Sequence, residues 1–164
     1  MKKNFVWSAA ALLALAVLAQ FFRPERTNPP IDSAMTVLSD TTVPPPVRAV
    51  FRRSCFDCHS NETVWPWYSE ITPVNFLVAG DVATGRKNLN FSEWGRQKLG
   101  RRMSVLEEIG DQLTGRDMPL KKYLLMHPNA KVSDDEIKMI SDWCDAEQKR
   151  LSSAPDTAPP LQKK

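Results

Sequence analysis

Three cysteines are too few for a disulfide framework, and two of them, Cys55 and Cys58, sit close together. Charge of one sign is scarce as well. The formal net charge is +3, and Lys2 and Lys3 supply two of those charges, which gives no electrostatic case for a nucleic-acid partner. No stretch alternates apolar and polar residues well enough to predict a strand, and no internal repeat is present. With 42% hydrophobic and 25% charged residues, global disorder is excluded. A chain of 164 residues leaves room for one core with appendages.

What is abundant lies at the ends. After Lys2 and Lys3 an apolar run extends from Phe5 to Phe22, broken only by Ser8 and Gln20. Its length predicts a helix that crosses a bilayer, with the positive flank in the cytoplasm and the body exported. An uncleaved anchor over residues 1–22 is the expectation, and a signal peptide cleaved after Ala19 is the alternative. That places the protein on a bacterial cytoplasmic membrane, single-pass, with its domain in the periplasm. Six of the thirteen prolines fall within residues 23–46, which read as an extended spacer of at most about 70 Å. Residues 151–164 read as a disordered tail. The folded domain is expected over residues 47–150.

Within it the periodicity is helical, and the fold class is all-α, a small helical domain behind an N-terminal membrane helix. Val47, Val50, Phe51 and Ser54 share one helix face behind a proline triplet. Thr72 and Pro73 open another helix with Val74, Leu77 and Val78, which Gly85 is expected to end. A further start lies near residues 90–93, after which Leu99, Met103, Leu106, Ile109 and Leu113 recur at helical spacing. Residues 123–126 form a short turn that stops before Pro128. Ser133 and Glu136 make a capping box ahead of Ile137, Ile140 and Cys144.

The residues that carry chemistry are Cys55-Phe56-Asp57-Cys58-His59. Two thiols on one helical turn can both reach the vinyl groups of one porphyrin, and the next residue projects an imidazole to the iron. Chance placement of three cysteines and two histidines gives this signature on the order of once in a thousand such chains. A disulfide, a thioredoxin-like pair and a zinc site are the competing readings. No βαβ setting is present for the second, and only distant Cys144 and His127 remain to complete the third. The cofactor expected is one haem c, attached through Cys55 and Cys58 and ligated by His59.

Two residues compete for the other axial position. Met118, between Asp117 and Pro119, lies far enough from His59 in sequence to return over the opposite haem face, and a thioether would raise the potential. His127, before Pro128, would lower it. Met118 is the favoured ligand. Trp65, Trp67 and Tyr68 either wall the haem edge or simply pack a core. Arg86 and Lys87 are candidates for neutralising haem propionates, and Cys144 reads as a buried, inert thiol.

The stretch CFDCHSNETVWPWYS at residues 55–69 resembles the bacterial haem-binding domain family, whose members carry a CxxCHSNxTxWPWYS run. The resemblance continues through RTNPP at residues 26–30, GRKNLNFSEW at 85–94, MP at 118–119 and HPNAKVS at 127–133. It implies a single covalent haem in a cytochrome c-like helical domain, with Cys55 and Cys58 attaching it, His59 proximal and Met118 distal. Asp81 stands where many relatives are expected to carry histidine, so no ligand is carried over from that helix.

The function expected is electron transfer, with membrane or periplasmic redox proteins as partners and the membrane reached through the N-terminal segment. Arg101, Arg102, Lys121 and Lys122 offer a basic docking surface for an acidic partner. Haem-based ligand sensing or peroxidase-like activity is the alternative. It needs an open distal site, and no dedicated acid–base set accompanies the motif. A third reading is an interaction module in which haem serves folding alone.

Overall fold

The computed structural model describes residues 2–153, and among them every regular element is helical. The chain divides into two units. One comprises residues 1–31 and 56–92, the other 32–55 and 93–164.

The first helix, α1 (Lys2–Ala19), is 18 residues long. Among the described residues no helix is long and apolar enough to cross a membrane, which overturns both the expected membrane helix and the single-pass location built on it. The physical reason lies at both ends. The helix spends its first turn on Lys2, Lys3 and Asn4, so its apolar part, residues 5–19, covers only about 22 Å. Gln20, Phe21 and Phe22, expected to extend the span, leave the helix in a turn. Gln20 then makes a two-way bond with Thr72, its Nε2 donating to the carbonyl (3.3 Å) and its Oε1 accepting from the amide (3.0 Å).

From there residues 20–30 run as a strap alongside residues 72–61, in the opposite direction. Arg23 pairs with Glu70 (2.6 Å). Arg26 donates to the Ser69 carbonyl (2.6 Å) and hydroxyl (2.9 Å) and pairs with Glu70. Asn28 Nδ2 donates to the Thr63 carbonyl (2.9 Å), and the Pro30 carbonyl accepts from Asn61 (3.1 Å). Prolines at 24, 29 and 30 keep this chain extended, and side chains make the bonds because the strap forms no backbone ladder.

The same unit carries α3 (Phe56–His59), a 3₁₀ turn at Trp67–Glu70, and α4 (Val74–Asn88), which packs on both. Gly85 does not end α4 but lies inside it. A side chain there would collide with the Cys58 backbone, so the glycine lets α4 approach α3. The buried face of α4 is Asn75, Val82 and Gly85, while Leu77 is exposed. The core is correspondingly polar. Ser60, Asn61, Thr63, Ser69, Asn75 and Ser92 are buried beside Phe56, Val82 and Phe91.

The second unit is conventional. α2 (Pro45–Ser54) buries Val47, Val50, Phe51 and Ser54, the face its periodicity predicts. α5 (Leu99–Thr114) buries Val105, Leu106, Ile109 and Leu113, and leaves Leu99 exposed. α6 (Lys121–Met126) is short, as Pro128 requires. α7 (Asp134–Ser153) packs on α5 and α2, and Trp143 meets Phe51 edge-on at 5.7 Å. Leu151 is buried at its end, and residues 154–164 of the expected tail lie outside the described residues. Val37 and Val43, from the proline-rich stretch, are fully buried, and Asp40 accepts the Trp94 indole N–H (2.9 Å).

The capping box is present. The Ser133 amide donates to Glu136 Oε2 (2.9 Å), and the Glu136 amide donates to Ser133 Oγ (3.3 Å). Arg53 adds a two-pronged pairing at 2.9 and 3.0 Å. Arg53 first, then the Ser133 amide, hold the Glu136 carboxyl down at about 2, against an ordinary 4.5. A carboxyl depressed on folding stabilises the protein above its unfolded pKa, and that contribution is lost as pH falls through the folded one. The urea midpoint is therefore expected to fall between pH 4.5 and 2, and Glu136→Gln is expected to flatten that limb.

Candidate functional site

The half-buried Cys55 closes α2, and its amide donates to the Phe51 carbonyl (2.9 Å). Cys58 and His59 occupy the last two positions of the single turn α3. Both motif cysteines are half-buried and in no disulfide, whereas Cys144 is buried on α7 with its thiol pushed up to about 12 by burial and by Asp145. Cys144 is therefore a poor source of thiolate.

The imidazole is held by α4 and the segment after it. His59 Nδ1 lies 3.0 Å from the Leu89 carbonyl oxygen. A carbonyl oxygen only accepts, so Nδ1 carries the hydrogen and donates it. Burial holds the ring below its ordinary pKa, against the opposing pull of the Leu89 and Gly85 carbonyls. A neutral imidazole with Nδ1 protonated leaves the Nε2 lone pair as its one ligating position. The Phe91 ring stands at 64° to it, centroids 6.4 Å apart, and is itself stacked on Phe56 at 5.6 Å. This fixes the plane of the imidazole.

Behind His59 lies the polar core. The Asn61 amide donates to Ser92 Oγ (3.0 Å), Asn90 Nδ2 donates to Asn61 Oδ1 (2.8 Å), and the Ser92 amide donates to Asn90 Oδ1 (3.0 Å). Arg86 closes the set, with Nε on the Ser60 carbonyl (2.7 Å), Nη1 on the Thr27 carbonyl (2.8 Å), and Nη2 on Asn28 Oδ1 (2.7 Å) and Thr63 Oγ1 (2.8 Å). Burial lowers its pKa from the ordinary guanidinium range. The arginine expected to meet a propionate thus spends four of its five N–H groups on the strap and on the loop after His59. Lys87 is exposed.

The aromatic trio divides. Trp67 is exposed and meets Tyr68 edge-on at 5.8 Å. Tyr68 is half-buried, and its phenol is raised above 10.0 by burial, then by Asp57 and Cys58. Trp65 is half-buried, and its indole nitrogen has no hydrogen-bond partner.

Met118 and His127 belong to the other unit. The amides of Asp117 and Met118 both donate to the Gln112 carbonyl (3.0 and 3.2 Å), in a turn where Arg116 takes the left-handed φ of 61°. Arg116 Nη1 donates to the Val132 carbonyl (3.3 Å) and the guanidinium pairs with Asp134, which offsets a backbone cost of roughly 1–2 kcal/mol. Met118 is half-buried. His127 stacks on Tyr123 with centroids 4.2 Å apart. Of the basic docking residues, Arg102 lies over the Trp94 ring at 4.9 Å and Arg101 pairs with Glu108 (3.1 Å), while Lys121 and Lys122 are exposed.

The donor set suits a haem. One imidazole is oriented with Nε2 as its ligating position, the Cys58 thiol adjoins it in sequence on α3, and an unpartnered indole N–H lies in the same unit. The profile of a family described as a haem-binding domain matches residues 14–146. The chain belongs to the haem-binding domain family. Comparison with curated proteins and with solved structures gives no match. The matched span takes in the strap and α2 to α6 and reaches well into α7, so the haem-binding domain includes most of both units.

Periodicity and motif reading missed the strap and the Asn61–Asn90–Ser92 network. The available signal was compositional. Small polar residues crowd directly behind His59, and Asn90 with Ser92 has the spacing of a side chain bonding an amide two residues on.

Proposed function

We propose that this haem-binding domain carries one haem c, bonded through Cys55 and Cys58, and works as a single-haem electron carrier for other redox proteins. The supporting observation is the Nδ1–H of His59 on the Leu89 carbonyl, inside Cys-x-x-Cys-His. It gives the imidazole the one tautomer that can ligate through Nε2. Cys55 and Cys58 would hold the haem as thioethers, each thiol adding its sulfur to one carbon of a vinyl C=C and its hydrogen to the other, with no outside redox reagent. Bound haem supplies a one-electron iron couple. The chain's own part is to hold ligands still. Phe91 and Leu89 hold His59, and a Met118 thioether as second ligand would favour the reduced state.

Full-length protein from a host competent in cytochrome maturation is expected to keep its pigment through acid–acetone and give a c-type pyridine haemochrome. Cys55→Ser with Cys58→Ser is expected to abolish the covalent pigment. The oxidised protein is expected to show a weak far-red band that Met118→Ala removes. A five-coordinate, high-spin spectrum would instead mean an open site and a ligand-binding or catalytic protein. Loss of the low-spin spectrum in His127→Ala, with Met118→Ala unchanged, would overturn the distal assignment.

A further inference from the structure

We infer that the Trp65 indole N–H is the protein's hydrogen-bond donor to a carboxylate of the bound haem. The inference deepens the reading above and rests on haem occupying this unit.

A buried N–H without an acceptor loses its hydration for nothing in return, and native structures rarely leave one unmet. Among the described residues four buried side-chain polar atoms lack a partner, and Trp65 Nε1 is the one in the unit that carries Cys58 and His59. Its place is set by the residues on either side. Thr63 Oγ1 donates to the Asp57 carbonyl (2.7 Å), and the Val64 amide donates to Asp57 Oδ1 (3.2 Å), so the chain entering Trp65 is tied to α3 itself. On the far side Pro66 restricts Trp65 to extended backbone. The indole thus stands on a stiff segment anchored to the turn that holds the proximal ligand.

The stronger donors nearby are spent. Arg86 uses four N–H groups on the protein, and Arg26 is committed to Ser69 and Glu70. An indole N–H can only donate. What completes it is an acceptor from outside the polypeptide, and the strongest acceptors on a haem are its two carboxylates. A donor there draws negative charge away from the iron's surroundings and favours the reduced state.

The test compares full-length haem-loaded protein with Trp65→Phe, which keeps the ring bulk and removes the donor. Expected, per bound haem, are a shifted propionate bending mode in the resonance Raman spectrum and a lower midpoint potential. In the reduced wild type, one of the five tryptophan indole protons, absent from the variant, is expected at a hydrogen-bonded shift with slow solvent exchange. That wild-type signal and the sensitivity of the propionate mode to deuterium oxide stand even where the variant folds poorly. An identical propionate mode and potential in the variant would overturn the inference. So would a hydrogen-bonded indole with an unmoved propionate mode, because the acceptor would then be water. Pigment extractable from both proteins would instead sink the covalent attachment, and the same Raman comparison on the non-covalent complex would still decide the role of Trp65.

Discussion

Gly85→Ala is expected to destabilise the protein by about 2 kcal/mol and to cut the yield of attached haem, although alanine is the better helix former by nearly 1 kcal/mol. A methyl group on Gly85 would overlap the Cys58 carbonyl oxygen and lie 3.0 Å from its carbon and 3.2 Å from its Cβ. Two of these atoms are backbone, so relief requires α4 and α3 to move apart. That movement would pull the Leu89 carbonyl, one residue beyond α4, away from His59. Gly80 on the same helix is the control. A side chain there meets open space, so Gly80→Ala is expected to be neutral or stabilising by up to about 1 kcal/mol. Thermal melts of the two variants read the difference directly, and equal melting temperatures would refute the close approach.

Arg86→Ala is expected to cost on the order of 3 kcal/mol by urea denaturation, the largest loss from any single polar side chain of its unit. Four acceptors lose their donor together, on Ser60, Thr27, Asn28 and Thr63. Arg86→Lys is expected to restore less than half, because a point ammonium cannot reproduce the planar fork. Limited proteolysis near Thr27 and Asn28 would report the freed strap. A variant cut no faster than wild type would show that the arginine does not hold it.

These two residues also show what the sequence could and could not disclose. Gly85 was legible as special but not as to why. A helix-ending glycine and one crossed by a neighbouring backbone both need the absence of Cβ, and only the tertiary contact with Cys58 distinguishes them. Local signals fared well where the cause is local. The Ser133–Glu136 box, the Pro128 stop and the buried face of α2 follow from residues within a few positions of one another. Hydropathy alone misjudged α1, because counting apolar residues takes no account of Gln20 leaving the helix for Thr72, a partner 52 positions away. The polar interior was hidden too, since Ser60, Asn75 and Ser92 look like surface residues until their distant partners are known.

The strap also bears on the order in which the chain assembles. Its rungs are nested: the Asn61–Pro30 pair closes a separation of 31 residues, Asn28–Thr63 of 35, Arg26–Ser69 of 43 and Gln20–Thr72 of 52. Chain-closure entropy rises with loop length, by about 0.5 kcal/mol between the shortest and the longest of these. Zippering from the inside outward is therefore the cheapest route, each rung shortening the search for the next. Although the ribosome releases residues 20–30 early, they have nothing to grip until the segment around Asn61 has been made.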